Sequence, residues 1–237
     1  MGCSPVIYLG SLWIMARPYV LLSAAMSVDG YLDDASPERL LLSSSEDFDA
    51  VDELRAGVDA ILVGAGTLRA DNPRLLVRSA ERRRARVARG LPESPAKVVI
   101  SGSGALDPEA AFFTAGPAER LVYLPTRAVE AAAERLAGRA EVIGAGDPLD
   151  VHALLADLAS RGVRRLLVEG GGTVHTLFLT ADVVDELRLA VAGFFVGDPA
   201  APRLVGPGRF PQSPARPMRL VSTENVGGTA VLRFQVG

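Results

Sequence analysis

A run of three glycines follows a predicted strand and precedes a predicted helix, in the segment Glu169-Gly170-Gly171-Gly172-Thr173. A plain strand-to-helix turn requires one or two glycines, whose backbone adopts the necessary angles without steric cost. A third glycine leaves backbone N–H groups open at the positive end of the helix, where phosphate or pyrophosphate binds. Because Glu169 would repel that anion, we expect its carboxylate to meet hydroxyl or amino groups of a second ligand. The segment indicates a phosphate-bearing ligand beside a second, polar ligand.

Two other loops follow predicted strands. Residues 64–67, Gly-Ala-Gly-Thr, come directly after the apolar run 59–64, and Thr67 could cap a turn or donate to a phosphate. The loop lacks the Gly-Lys-Ser/Thr of a P-loop and the third glycine of a dinucleotide fingerprint, so a tight turn fits equally well. Residues 27–30, Ser-Val-Asp-Gly, are typical of an Asp-Gly turn. A lone histidine on a first helical turn, His175, is predicted to be a helix-surface residue rather than a general base.

Short apolar runs alternate with stretches of helical spacing along the chain. Strands are predicted at 19–26, 59–64, 97–101, 121–124, 141–144, 165–169 and 184–196, and helices at 46–57, 129–136, 149–160 and after the glycines through 179. Residues 218–236 are predicted to form a hairpin. This α/β pattern implies a mostly parallel sheet with helices on both faces and an antiparallel C-terminal edge. Ligands bind at the carboxyl ends of such strands, where the three loops would meet.

Composition narrows the possible partners. The chain has 237 residues, of which 49% are hydrophobic and 22% charged, and this suffices for one large domain. A net charge of −3 argues against nucleic acid as a partner. The one cysteine, Cys3, excludes a disulfide within the chain and, with only two histidines, argues against a zinc site. We therefore expect a cytoplasmic protein without a metal or a membrane span. The basic run 78–90 is predicted to be a solvated loop or helix face, with a phosphate contact from Arg78 as the alternative.

The first 16 residues are apolar but show neither helical nor strand periodicity. They lack the basic start of a signal peptide and are too short to span a bilayer. We expect residues 1–16 to be an extension outside the fold, with Met15 as the natural start, and residues 17–237 to form the domain.

Taken in order along the chain, these segments resemble one family, the riboflavin-biosynthesis reductases, which have a dihydrofolate-reductase-like fold. The matching segments are 17–20, 27–30, 54–56, 59–64, 66–67, 71–75 with Arg78, 168–173 and 184–187. No single motif is decisive, but their order is specific. The resemblance runs from about Arg17 to the C-terminus.

The resemblance implies reduction of the ribosylamino side chain of a pyrimidine 5′-phosphate to ribitylamino, with NADPH delivering a hydride to C1′ of the opened sugar. It also implies positions for both ligands. The cofactor site would comprise Thr67, Asp71, Gly171, Gly172, Thr173, Val174, His175, Thr176 and Leu177, and the substrate site Arg55, Leu75, Arg78 and Glu169. Arg55 and Arg78 suit a phosphate, because guanidinium matches it bidentately. Hydride transfer to an imine requires orientation more than acid–base groups, so no catalytic residue is assigned.

Two positions depart from many bacterial members: Ser23 stands in place of Lys, and Asp52 in place of His. These departures keep a second hypothesis open, a paralogous reductase of another pterin, pyrimidine or specialised metabolite, including dihydrofolate. A third is a catalytically silent nucleotide-binding protein. The zinc deaminase often fused to bacterial members is not expected here, given one cysteine and this length. Family members are dimeric, and the apolar stretch 187–196 also favours a homodimer formed through strands near the C-terminus.

Overall fold

The computed structural model describes residues 6–9, 12–15, 17–36 and 40–237, with side chains described from residue 17 onward. Strands β1 (Val6–Leu9) and β2 (Leu12–Met15) pair antiparallel as a sheet of their own. The remaining strands are β3 (Tyr19–Ser27), β4 (Ala60–Gly64), β5 (Ala96–Ile100), β6 (Arg120–Leu124), β7 (Glu141–Gly144), β8 (Arg165–Gly170), β9 (Glu186–Ala192), β10 (Arg219–Val226) and β11 (Thr229–Gln235).

These nine strands form one sheet in the order β10-β11-β9-β3-β8-β4-β5-β6-β7. Every neighbouring pair from β9 to β7 is parallel. β11 pairs antiparallel with both β9 and β10, so the C-terminal hairpin forms an antiparallel edge. The predicted sheet, parallel with an antiparallel C-terminal edge, is therefore confirmed.

Helices cover both faces of the sheet. They are α1 (Ser45–Ala56), α2 (Ala65–Asp71), α3 (Ala80–Ala88), α4 (Ala111–Thr114), α5 (Val129–Arg135), α6 (Val151–Ser160) and α7 (Gly172–Thr180). Alternate residues of β4 enter different cores: Ala60 and Leu62 pack with α6 and α7, whereas Ile61 and Val63 pack with α2, α4 and α5. Burial on both faces explains why these strands read as continuous apolar runs rather than as an alternating pattern.

Three segments differ from the sequence prediction. The glycine loop 64–67 is the start of a helix, with Gly64 as the N-cap of α2. The strand expected at 184–196 is shorter, because the N–H of Phe194 turns back to the carbonyl of Ala192 at 2.8 Å. The extension, for which no periodicity was found, contains the β1–β2 hairpin.

Candidate active site

The three loops singled out in the sequence lie together along the edge that the carboxyl ends of the parallel strands form. They meet there because the strands that precede them are neighbours. β3, β8 and β4 adjoin in that order and run parallel, so their carboxyl ends meet. Two cavities lie at this edge, a first of about 400 Å³ and a second of about 580 Å³. Thr67, Asp71 and Glu169 line both cavities, which therefore adjoin.

All but three of the predicted site residues line these cavities. The first cavity is lined by Thr67, Asp71, Glu169, Gly171, Gly172, Thr173 and His175, among others. The second is lined by Arg55, Leu75 and Arg78 together with Thr67, Asp71 and Glu169. Thr67 and Asp71, predicted for the cofactor, and Glu169, predicted for the substrate, lie on the wall between the two cavities, and the assignment of each cavity to a ligand stays a prediction. Val174, Thr176 and Leu177 line neither cavity.

The glycines at the end of β8 allow α7 to pack closely on α2 and on the loop around Arg203. Gly171 is the N-cap of α7 and has a φ of +91°, a left-handed conformation that favours glycine. A Cβ atom at Gly171 would lie 3.0 Å from Oγ1 of Thr67, and one at Gly172 would overlap the carbonyl oxygen of Arg203. Since the first N–H groups of a helix have no intrahelical partner, this end of α7 gives the first cavity a positively polarised wall.

The three predicted residues outside the cavities hold α7 in place. Val174 is buried, and its Cγ2 lies so near Gly64 that a Cβ there would meet it at 2.8 Å. Thr176 accepts a hydrogen bond from the N–H of Gly206 at 2.8 Å, and Leu177 packs against the core. Their roles toward the cofactor stay predictions.

His175 is buried, with 1% of its surface exposed, although the sequence predicted a helix-surface residue. Its Nδ1 lies 3.0 Å from the carbonyl oxygen of Leu204, which only accepts, so Nδ1 carries the proton. Burial lowers the pKa of His175 to about 4, although the bond to Leu204 acts in the opposite direction. The imidazole is therefore neutral at neutral pH. Its Nε2 is a buried acceptor without a partner among the described residues, beside the first cavity.

Arg55 and Glu169 form a bidentate ion pair on the wall between the cavities. Nε and Nη2 of Arg55 donate to the two carboxylate oxygens of Glu169 at 2.7 and 2.6 Å. Only 18% of the Arg55 side chain and 13% of the Glu169 side chain are exposed. The pair makes this wall neutral, which removes the repulsion expected between Glu169 and a nearby phosphate. The phosphate contact predicted for Arg55 remains a prediction.

The second cavity is bordered by a segment with unusual backbone angles. Asn72 and Leu75 have φ values of +42° and +48°, and Leu75 is held in this strained conformation by burial. Arg78 at the end of the segment has a 58% exposed side chain. Its Nη2 donates to the carbonyl of Phe48 at 2.6 Å, and its guanidinium lies 5.6 Å from the Phe48 ring centroid.

Some cavity residues were not predicted as site residues. Arg74 and Arg83 add cationic groups to the second cavity. Arg74 lies within the family-like segment 71–75, which was a usable signal, whereas Arg83 belongs to the basic run assigned to a solvated face. Phe48 lines both cavities, and residues 40–43 line the first. Nothing in their types or spacing pointed to a site.

The loop 27–30 is a structural turn, in agreement with the Asp-Gly reading. Asp29 accepts hydrogen bonds from the hydroxyl of Ser27 at 2.5 Å and from the N–H groups of Val196 and Gly197 at 3.1 and 2.8 Å. Residues 24 and 25, earlier in β3, line the first cavity instead. The adjacent departure from the family pattern, Ser23, is buried on β3.

Within the described ranges, no group of three or more His, Cys, Asp or Glu side chains is arranged to hold a metal ion. The helices of the described part are all too short or too polar to cross a membrane.

A family model described as the RibD C-terminal domain matches residues 18–232. The chain belongs to the RibD C-terminal domain family. The resemblance predicted from the ordered segments is thereby confirmed. The match covers both cavities and the strands that position them.

Two curated relatives share the name 2,5-diamino-6-ribosylamino-4(3H)-pyrimidinone 5′-phosphate reductase. The protein of that name from Archaeoglobus fulgidus is 40% identical over 187 residues, which are 78% of this chain and 85% of the relative. The one from Methanothermobacter thermautotrophicus is 34% identical over 222 residues, covering 93% of this chain and 99% of the relative.

Solved structures share the fold at lower identity. A pyrimidine reductase-like protein from Corynebacterium diphtheriae superposes with a TM-score of 0.76 at 22% identity, covering 93% of this chain and 92% of that one. RibD from Acinetobacter baumannii gives a TM-score of 0.75 at 23% identity, covering 94% of this chain and 59% of that one. The predicted α/β, dihydrofolate-reductase-like fold class is confirmed.

Proposed function

We propose that the chain is an NADPH-dependent reductase that converts the ribosylamino side chain of a pyrimidine 5′-phosphate to ribitylamino in riboflavin biosynthesis. Relatives that are 34–40% identical are named as reductases of such a pyrimidinone phosphate, which favours this activity over the paralogous or silent alternatives. The observation that carries the proposal is the pair of adjoining cavities, one beside a helix N-terminus and one rich in arginine, with Glu169 between them.

The first cavity suits a nicotinamide cofactor, the class that reductases of this family use. Gly171, Gly172 and Thr173 would hold its phosphates at the N-terminus of α7, where no side chain blocks the backbone at the two glycines. The unpartnered Nε2 of His175 would accept a hydrogen bond from a hydroxyl or amide of the same ligand. When bound, the cofactor supplies a hydride. Preference for NADPH over NADH belongs to the proposal.

The second cavity suits the phosphorylated substrate. Arg74, Arg78 and Arg83 surround it with guanidinium groups, and Arg78 is exposed enough to meet a phosphate. Arg55 and Glu169 form the neutral wall toward the first cavity. We propose that Glu169 accepts hydrogen bonds from hydroxyl or amino groups of the substrate while Arg55 fixes its orientation.

Reduction of the imine form of the opened sugar adds a hydride to C1′ and a proton to the attached nitrogen. His175 is excluded as the donor of that proton, because its one N–H is committed to Leu204 and its pKa lies near 4. The chain's contribution is orientation: α7 holds one ligand, the segment 71–78 holds the other, and Glu169 contacts both compartments. A cytoplasmic location and a homodimeric assembly complete the proposal.

Thr173 offers a test of the cofactor site that does not disturb packing, because its side chain is exposed on the first turn of α7. Thr173→Asp adds a negative charge where the helix dipole favours it, so stability should hold or rise. The same charge should repel a phosphate and weaken NADPH binding at least about tenfold relative to the neutral Thr173→Asn control. Equal affinities of the two variants would contradict this site.

Turnover should then be measured from the absorbance of NADPH with each of the two candidate substrates. These are the ribosylaminopyrimidine phosphate that still carries its amino group and the deaminated one. The proposal would be supported if one of these substrates is reduced with oxidation of NADPH, and if turnover is faster with NADPH than with NADH. An inability to reduce either compound, while NADPH still binds, would contradict the proposed substrate class.

A further inference from the structure

A buried carboxylate on α1 holds the backbone of Arg78. Asp52 is 2% exposed and lies on the inner side of α1. Its carboxylate accepts hydrogen bonds from the N–H of Arg78 at 2.5 Å and from the N–H of Ser79 at 3.0 Å. Ser79 is the N-cap of α3, so Asp52 fixes the point at which the segment bordering the second cavity enters that helix.

The rest of the Asp52 carboxylate is also occupied. Nη1 of Arg82, on the first turn of α3, lies 3.1 Å from Oδ2 of Asp52. Burial opposes ionisation of Asp52, but the N–H groups of Arg78 and Ser79 and the Arg82 guanidinium outweigh it and lower its pKa. Asp52 lines neither cavity, so its partners are residues of this chain rather than a ligand.

The other end of Arg78 is held by the same helix. Its guanidinium donates to the carbonyl of Phe48, one turn before Asp52 on α1, and lies over the Phe48 ring. Between α2 and α3 the chain forms no helix or strand, and two of its residues, Asn72 and Leu75, have left-handed angles. The position of Arg78 is therefore set by contacts with α1.

We infer that Asp52 is a positioning residue for substrate recognition: it fixes the backbone of Arg78 so that the guanidinium lies at the second cavity, ready for a phosphate. The inference deepens the proposed function and rests on Arg78 as a phosphate ligand. It also gives a role to Asp52 as a departure from the family pattern, since a carboxylate can accept hydrogen bonds from the N–H groups of Arg78 and Ser79 at once.

Asp52→Asn tests the inference, because it keeps the side-chain volume and replaces one acceptor oxygen by an NH2 group. We expect kcat/KM for the phosphorylated substrate to fall about ten- to hundredfold through KM, since misplacement of about 1 Å has effects of this size. The same substrate without its phosphate should react as with wild type, and the Kd for NADPH should not change. Asp49→Asn is the matched control: Asp49 also pairs with Arg82, but its side chain is 67% exposed.

A double variant separates positioning from general stability. If Asp52 acts through Arg78, Asp52→Asn should add nothing further to the loss caused by Arg78→Ala. Additive losses, or equal losses with and without the substrate phosphate, would overturn the inference. Asp52→Glu provides a second variant if Asp52→Asn melts below the assay temperature, and it should recover part of the phosphate preference. A wild-type enzyme without any preference for the phosphorylated compound would instead contradict the proposed phosphate site.

Discussion

Arg55 on α1 and Glu169 at the end of β8 lie 114 residues apart in the sequence and form a bidentate ion pair between the two cavities. Both side chains are mostly buried, so each neutralises a charge that would be unfavourable alone. The pair also links α1, which carries the anchors of Arg78, to the strand that precedes the glycines. One ion pair thus joins the proposed substrate and cofactor compartments.

Arg55→Ala should lower stability as well as activity, because it leaves the Glu169 carboxylate largely buried without its partner. Breaking such a pair from one side costs about 3 kcal/mol or more, which corresponds to a melting temperature lower by roughly 6–12 °C for a chain of this length.

Arg78→Ala should leave the melting temperature nearly unchanged. Its effect should be a ten- to hundredfold loss of substrate affinity, roughly 1.5–3 kcal/mol for one charged phosphate contact.

The double variant Arg55→Ala/Glu169→Gln is the control for the first effect. Removal of both charges should recover much of the stability lost by Arg55→Ala, although not the activity. Calorimetry and turnover assays at varied substrate concentration, made on the same samples, give both readouts. If Arg55→Ala melts like wild type and loses only substrate affinity, Arg55 acts as a phosphate ligand and not as the partner of Glu169.

Gly172→Ala should weaken both NADPH binding and stability, because the added methyl group overlaps the carbonyl of Arg203 and must displace α7 or that loop. Gly171→Asp and Gly172→Asp should also abolish NADPH binding. The first variant additionally strains a left-handed backbone, and the second has the same overlap with the Arg203 carbonyl as Gly172→Ala. Gly102→Ala is the matched control, since a Cβ at Gly102 meets nothing within 4 Å. Normal NADPH affinity in Gly172→Ala would show that the glycines serve packing alone.

The parallel core of the fold could be predicted because its strands are buried on both faces. β4 and β8 therefore appear as short apolar runs in the sequence, and the loops at their ends could be located. Helix α2 was missed because Gly66, in its first turn, disfavours a helix locally. Its helical state follows instead from tertiary packing, with Ala65 and Leu68 buried against the core.

The side chains of the site could be named from the sequence, but not their partners. Nothing near Arg55 indicates that Glu169 will occupy its guanidinium, because the two meet only when α1 packs beside the end of β8. The burial of His175 was not predicted for the same reason. Its burial depends on the segment around Leu204, for which the sequence predicted no element.

Neutral His175 should make stability depend on pH between about 4 and 6.5. The folded protein binds this proton more weakly than the unfolded chain, whose histidine has an ordinary pKa of 6.5, so protonation favours unfolding. The contribution of neutral His175 is fully present above pH 6.5 and is lost as the pH falls toward 4. The loss should reach roughly 3 kcal/mol in the free energy of unfolding.

His175→Asn keeps a donor for the Leu204 carbonyl but does not titrate, so its stability should vary less between pH 7 and 4 than that of wild type. The chain has only two histidines, and the other, His152, is exposed. His152→Asn is therefore the control, and it should retain the wild-type pH dependence in urea unfolding curves. Parallel curves for His175→Asn and wild type would contradict a buried neutral imidazole.

The homodimer remains a prediction, with a changed structural motive. The part of the apolar stretch 187–196 that lies in β9 does not require a second chain to pair with it, because β9 lies between β3 and β11. Strand β10 is one of the two edge strands of the sheet, however, and its Leu220 and Val221 are 52% and 54% exposed. Light scattering at micromolar concentration should give twice the mass of 24.9 kDa. Val221→Arg should then give the monomer mass, whereas a wild-type monomer would reject the dimer.

Residues 1–14 should be dispensable. The β1–β2 hairpin forms a sheet separate from the nine-stranded sheet, and the RibD C-terminal domain match begins at residue 18. A chain that starts at Met15 also loses most of the hairpin, yet it retains Arg17, whose guanidinium donates to both carboxylate oxygens of Asp185 at 2.7 and 2.8 Å. It should therefore melt, assemble and turn over as the full chain does. A melting temperature lower by several degrees, or a change in assembly, would show that the hairpin packs on the domain.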